Sequence, residues 1–213
     1  IEDLSNTLQD LERFINEPQV EMDPIVRAAL VHYQFETAHP FLDGNGRLGR
    51  LLITLMLIND GVLHSCLFYP SFQFKKNRSE YYRQLTSVRE RGTYEEWIEF
   101  FCNSLLESAK DSVGSLKNLV DLHNRSTATI TENLGRTAAN GQRLLGILEE
   151  HPIVDTAFIA AQLDIGRSTA SSLVKSFEEL GILRPLDESR QRYRQYGYEE
   201  YLSILREDAE PIR

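Results

Sequence analysis

Three glycines, an asparagine, an aspartate and two arginines stand within HPFLDGNGRLGR, from His39 to Arg50, and the patterns on both sides are helical. Upstream, Asp23-Pro24 starts a helix: aspartate can cap free N–H groups, and proline at the first helical position has none to leave unpaired. Ile25, Val26, Ala29, Leu30 and Tyr33 then recur at helical spacing. Pro40 disfavours helical geometry in the residue before it, so this helix should end near His39. Downstream, the apolar pattern carries a second helix to Asn59-Asp60, with Gly61 as a left-handed stop. Asp43-Gly44-Asn45-Gly46 continues neither helix well, and the chain must turn there. The stretch is a helix–loop–helix joint, and the fold around it is mainly α.

Net charge is −9 and the pI is near 5.1, which excludes a general attraction to nucleic acid or anionic lipid. The two cysteines, Cys66 and Cys102, are too few for a disulfide framework and lack a zinc-binding spacing, so both read as small buried apolar residues. The most apolar run, Leu51 to Ile58, is far shorter than the ~20 residues of a membrane span. No signal peptide is visible, and the expectation is a cytoplasmic protein without a membrane partner. A chain of 213 residues can hold more than one core.

The remaining pattern predicts two domains and a connection. CLFYPSFQF, within residues 62–74, is β-prone, and Pro70 argues for an edge or exposed hairpin. Helices are expected from Ser79 to Arg91 and from Thr93, where Thr93 and Glu96 have capping-box spacing. Trp97, Phe100, Phe101 and Leu105 share a core-facing side of the latter. Residues 1–111 thus read as one helical domain, and the small polar residues of 112–139 as a connecting helix. Residues 140–213 change character: helices at 140–150, 155–163 and 168–180, then strand-like runs at Ile182–Leu186 and Arg190–Tyr196. Three helices and a hairpin resemble a winged helix-turn-helix module.

The chemistry concentrates in the joint. Gly44-Asn45-Gly46-Arg47-Leu48-Gly49 matches the dinucleotide fingerprint G-x-G-x-x-G, but that fingerprint follows a buried strand and this one follows a helix. A P-loop fails as well, for lack of a closing Gly-Lys-Ser/Thr. What survives is general physics: backbone N–H groups of small residues at a helix start make a nest for an anion, and the helix dipole reinforces it. Arg47 and Arg50, three apart, can lean toward the same anion, and a polyphosphate would offset two cations placed against the dipole. Asp43 at the mouth would repel phosphate unless a divalent cation intervened, and Mg²⁺ takes one carboxylate plus phosphate oxygens. His39 can accept a proton from a hydroxyl near neutral pH. Phe41 and Leu42 read as core anchors of the loop, and the other four histidines as structural or surface residues.

HPFLDGNGRLGR resembles the Fic family signature, HxFx[DE]GNGRxxR, at every defining position, and FYPSFQFKKNRSEYYRQL is similar to the flap and following helix of that family. The likeness covers about residues 1–110 and implies a Fic helical domain with a small β-hairpin flap, incomplete at its N-terminus, followed by a winged-helix domain. It further implies transfer of AMP from ATP to a Ser, Thr or Tyr hydroxyl of a target protein, releasing pyrophosphate. By the same likeness His39 is the general base and Asp43 holds Mg²⁺. Gly44, Asn45, Gly46 and Arg47, with Leu48 and Gly49, form the phosphate cradle; Arg50 meets the terminal phosphate, and Tyr81 and Tyr82 enclose the adenine. The flap near Phe68 to Phe74 would align the target as an added strand. Transfer of another phosphate-linked group is the alternative within the family. Many Fic proteins also carry an inhibitory [ST]xxxE[GN] helix; the only Glu-Asn pair here, Glu132-Asn133, has Ala128 at the Ser/Thr position. The expectation is an inhibitory element upstream of Ile1.

For the tail, helix 168–180 with Ser168, Thr169, Ser171, Ser172 and Lys175 could enter a DNA groove, with Arg184, Arg190, Arg192 and Arg194 on phosphates. Residues 138–213 nevertheless carry nine basic against thirteen acidic side chains, and Glu178 and Glu179 sit on that helix. A protein-docking or homodimerising role is therefore preferred to DNA binding. Modification of the chain by itself and a DNA-binding regulator with a nucleotide-sensing Fic domain stay open as expectations.

Overall fold

The computed structural model describes residues 2–17, 21–64, 70–187 and 194–207. The described residues divide into two compact units, the first ending at Ser112 and the second beginning at Val113.

In the first unit, α1 (Glu2–Asn16) precedes the joint's two helices, α2 (Pro24–Ala38) and α3 (Asn45–Asn59). Asp23 caps α2 as expected, its Oδ1 accepting from the N–H of Ile25 at 2.8 Å. Arg27 near the start of α2 pairs with Asp60 at the end of α3, so the two helices are tied at the end far from the loop. Ala28, Ala29, Ile53 and Leu57 then pack between them in one core. The same core takes in Phe74, Tyr81, Leu85, Trp97 and Phe101. Trp97 donates its indole N–H to the Ala29 carbonyl at 2.9 Å, which satisfies a buried polar group while locking the ring against α2.

Pro70, Ser71, Phe72, Gln73 and Phe74 form no strand. Ser71–Lys76 is a short helix, α4, with Gln73 and Phe74 buried and Lys75 and Lys76 in its last turn. Proline preset for a helical start and two cations at the C-terminal end outweigh the β propensity of the aromatic residues. Residues 65–69, with Cys66 and Phe68, lie outside the described part of the chain, and so does most of the expected flap. Next come α5 (Arg78–Arg91), stopped by Gly92 at φ +70°, and α6 (Tyr94–Asn133). The capping box is not formed: the Thr93 hydroxyl bonds to Ser87 Oγ at 2.6 Å instead. Cys102 is only partly buried, and its thiol is pushed up by burial and then by Asp23.

The expected connecting helix is the second half of α6, forty residues long without interruption. In the second unit, Leu122 and Ile130 of α6 join the core formed by α7 (Ala138–Glu150), α8 (Thr156–Leu163) and α9 (Arg167–Glu179). Three short antiparallel strands complete it: β1 (Ile153–Asp155), β2 (Arg184–Pro185) and β3 (Gln195–Gly197), in the order β1-β3-β2. Val154 lies opposite Tyr196 and Arg184 opposite Gly197. The first of these strands and α10 (Glu199–Glu207) have no counterpart in the sequence pattern read above. Asp155 ends β1 and caps α8, accepting from the Phe158 N–H at 2.7 Å. No described helix is long and apolar enough to cross a membrane.

Candidate active site

The loop between α2 and α3 is closed by one side chain. Asn45, 2% exposed, accepts from the Phe41 N–H through Oδ1 at 2.9 Å and donates through Nδ2 to the Phe41 carbonyl at 2.5 Å. Its amide is thus spent on the loop's own backbone, so Asn45 shapes the nest rather than lining it. Phe41 is half-exposed beside Phe35, and Leu42 is fully exposed, so neither is the core anchor expected of it. The staple, not apolar burial, holds the loop.

His39 ends α2 in the left-handed region, at φ +45°, with its N–H on the Phe35 carbonyl at 3.0 Å. That geometry is uncommon for a residue with a side chain, and His39 is exposed there at the helix end. Gly44 precedes α3 at φ +87°, a value that suits glycine. Asp43 is exposed at the loop's tip and faces Arg47 at 3.4 Å. Exposed pairs of this kind contribute little to stability, which leaves both groups available to another charged species. Among the described residues no three His, Cys, Asp or Glu side chains gather as metal ligands. A single exposed carboxylate beside a phosphate nest fits Mg²⁺ shared with a nucleotide, and does not fit a metal held by protein alone.

Arg50, on the first turn of α3 after Arg47, is only partly exposed. Its Nε donates to Ser71 Oγ of α4 at 3.1 Å. Gly46 lies beneath it, since a Cβ there would stand 3.0 Å from the Arg50 Nη1. Leu48 is exposed on the outer face of α3, whereas Gly49 is buried against α2. A Cβ at Gly49 would come within 2.7 Å of Glu36 Oε1 and 3.1 Å of the His32 ring.

The two tyrosines part ways. Tyr81, 4% exposed, belongs to the core and meets His32 Nε2 through its hydroxyl at 3.0 Å, so it is not free to enclose a ligand. Burial pushes its phenol well above the ordinary range. Tyr82 is 52% exposed and has the Arg78 guanidinium over its ring, 5.7 Å from the centroid. Behind the joint, His32 is fully buried and stacks near Phe74 and Trp97. Burial pushes its pKa down to about 4, partly opposed by the Gly49 backbone, so the ring is neutral near pH 7. Glu36 and Ser71 carry no motif signal. Glu36 could have been noticed as lying one turn before His39, whereas Ser71 was hidden in a segment read as β.

The site's likeness to known proteins is consistent. The Fic/DOC family model matches residues 1–57. "Protein adenylyltransferase fic-1" of Caenorhabditis briggsae is 34% identical over 111 residues, covering 52% of this chain and 20% of the relative. "Protein adenylyltransferase Fic" of Drosophila ananassae is 36% identical over 102 residues, covering 47% of this chain and 19% of the relative. The chain therefore spans about a fifth of the length of the curated relatives it matches. Among solved structures, a Fic family protein from Desulfovibrio desulfuricans G20 aligns over 92% of this chain and 55% of its own, with a TM-score of 0.51 and 22% identity. At that identity the likeness concerns the fold.

Proposed function

We infer from the Fic/DOC character of the N-terminal unit that this chain is a protein adenylyltransferase, moving AMP from ATP to a hydroxyl side chain of a target protein. The observation that carries this reading is the joint itself: an exposed histidine held in a left-handed turn beside a glycine nest at a helix N-terminus. His39 accepts the proton of the acceptor hydroxyl while that oxygen bonds to the α-phosphorus of ATP. The bond from this phosphorus to the bridging oxygen breaks, and pyrophosphate leaves with the electron pair. The N–H groups of Gly44 and Gly46 and the Arg47 guanidinium oppose the charge that builds on the phosphoryl oxygens. Arg50 takes the terminal phosphate, and Tyr82 remains as the side chain for the adenine. Asp43 would hold Mg²⁺, which supplies neutralisation of the polyphosphate when bound.

The C-terminal unit is read as a winged-helix module that docks a protein, either the target or a second copy. Its α9 exposes Arg167, Ser168, Thr169, Ser171, Ser172 and Lys175, but Lys175 is paired with Glu179 at 3.7 Å. That pairing and the acid excess weaken the case for DNA; Arg190 and Arg192 of the expected wing lie outside the described residues. The test is label transfer from ATP carrying its label on the α-phosphate. Transfer to protein that His39→Ala removes, with ATP binding retained, is the expected result. Label arriving only from the γ-phosphate would overturn AMP transfer in favour of phosphate transfer.

A further inference from the structure

We propose that the corner between α4 and α5, where Lys75, Lys76 and Arg78 stand together, is a docking surface for an acidic segment of the target protein. The idea rests on the adenylyltransferase reading and names the chemistry of the partner which that reading requires. The sequence first sets this corner apart. From Gly61 to Ser79 there is no aspartate or glutamate, in a chain with 32 acidic residues and a net charge of −9. Within that stretch three cations fall between Lys75 and Arg78.

The fold leaves these cations uncovered. Lys75, Lys76 and Arg78 are exposed, and among the described residues none of them pairs with a carboxylate. The next acid in sequence, Glu80, is taken by Arg83 at 2.6 Å and by Gln84 at 2.7 Å. Asp111, which reaches α4 from α6, accepts from Gln73 at 2.6 Å. Helix ends explain part of the pattern and leave a remainder. Lys75 and Lys76 complement the carbonyl end of α4, whereas Arg78 opens α5, where a cation opposes the dipole. Arg78 lies over the Tyr82 ring, so an aromatic face rather than an acid holds it. Three like charges left in solvent repel one another, and an anionic partner relieves that repulsion. The corner also adjoins the joint: Ser71 accepts from Arg50 Nε at 3.1 Å, and Lys75 follows Ser71 by one turn, about 6 Å along α4. A peptide is favoured over nucleic acid because three cations in an acidic chain can neutralise a few carboxylates but give a phosphate backbone no continuous basic path.

The experiment titrates the full chain, by fluorescence anisotropy, with labelled peptides whose central threonine is flanked by Asp and Glu, by Asn and Gln, or by Lys. The acidic peptide should bind about five- to tenfold more tightly than the neutral one, and about 0.5 M salt should erase the difference. Lys75→Glu/Lys76→Glu should turn the preference toward the Lys-flanked peptide, a gain of binding that misfolding cannot produce. Lys75→Gln/Lys76→Gln should abolish the preference without reversing it. In AMP transfer to the same peptides, the charge reversal should raise KM for the acidic peptide and leave KM for ATP unchanged. Equal binding of the three peptides, or a preference that survives charge reversal, overturns the proposal. A change confined to KM for ATP also overturns it, since the cations then serve the nucleotide. Stronger displacement of the bound acidic peptide by a single-stranded oligonucleotide than by the unlabelled peptide overturns it in favour of nucleic acid. Absence of AMP transfer to any protein overturns the adenylyltransferase reading instead, a failure that the binding titration does not register.

Discussion

Two helix–turn–helix joints in this chain use the same backbone device and differ in everything built on it. Among the described residues only His39 and Asp164 have side chains at positive φ, +45° and +54°, and each closes the helix before its turn. At Asp164 the turn runs through Ile165 and Gly166 straight into α9. A short aspartate tolerates the left-handed region, and Ile165 packs against the core, so the joint is stabilised by apolar burial. At His39 the turn runs through Pro40, Phe41, Leu42, Asp43 and Gly44, its apolar residues face solvent, and Asn45 closes it from within. One joint spends its sequence on packing. The other leaves an imidazole, a carboxylate and a row of N–H groups uncovered, and a polar staple substitutes for the missing core.

The largest test of this contrast is catalytic. His39→Ala should cut AMP transfer by roughly 10²- to 10⁴-fold, the range of general-base removal, whereas Asp164→Ala should leave the rate within about twofold. Labelled-ATP transfer measured on both variants decides it; equal losses would mean that the two joints do not differ in function.

Next in size is the pH response of the core beneath the His39 joint. The pKa of His32 falls from 6.5 when unfolded to about 4 when folded, so the unfolded chain binds more protons between these values. Stability is complete above pH 6.5 and declines as pH drops toward 4, by about 3 kcal/mol at most from this group. Chemical denaturation at pH 7.5 and at pH 4.5 should show a smaller difference in His32→Gln, which keeps a partner for Tyr81 without titrating. An undiminished difference would assign the acid sensitivity elsewhere.

The staple comes third. Asn45→Ala strands the Phe41 N–H and carbonyl and should cost about 1–3 kcal/mol, with ATP affinity falling because the nest loses its shape. Unaltered affinity would mean that the loop is held by something other than this amide. The smallest effect belongs to the second joint: Asp164→Gly relieves the positive φ and should change stability by no more than about 1 kcal/mol in either direction, with transfer unaffected. A larger loss in thermal unfolding would give the Asp164 side chain a structural task that the geometry does not display.

Much of this was legible in local pattern. The bounds of α2 and α3, the glycine stop at Gly61, the aromatic face of α6 and the order of helices in the second unit all follow from capping, proline and 3.6-residue periodicity, which act between near neighbours. The misreadings share a cause. Ser71 to Phe74 have strand propensity, yet burying Gln73 and Phe74 on a helical turn decided their state. The strand β1 is three residues long and exists only because β3 lies beside it, a partner more than forty residues away.

The sequence by itself determined that His39, Asp43, Arg47 and Arg50 would stand along one helix–loop–helix joint, because they lie within twelve residues and the turn between the helices is set by local φ preferences. Only the tertiary structure decided that Asn45 would close the loop, that Tyr81 would be buried while Tyr82 stayed half-exposed, that Ser71 would meet Arg50, and that Glu36 would come up to Gly49. Those outcomes depend on which helix packs against which, and packing is settled by burial and close approach between residues far apart in the chain.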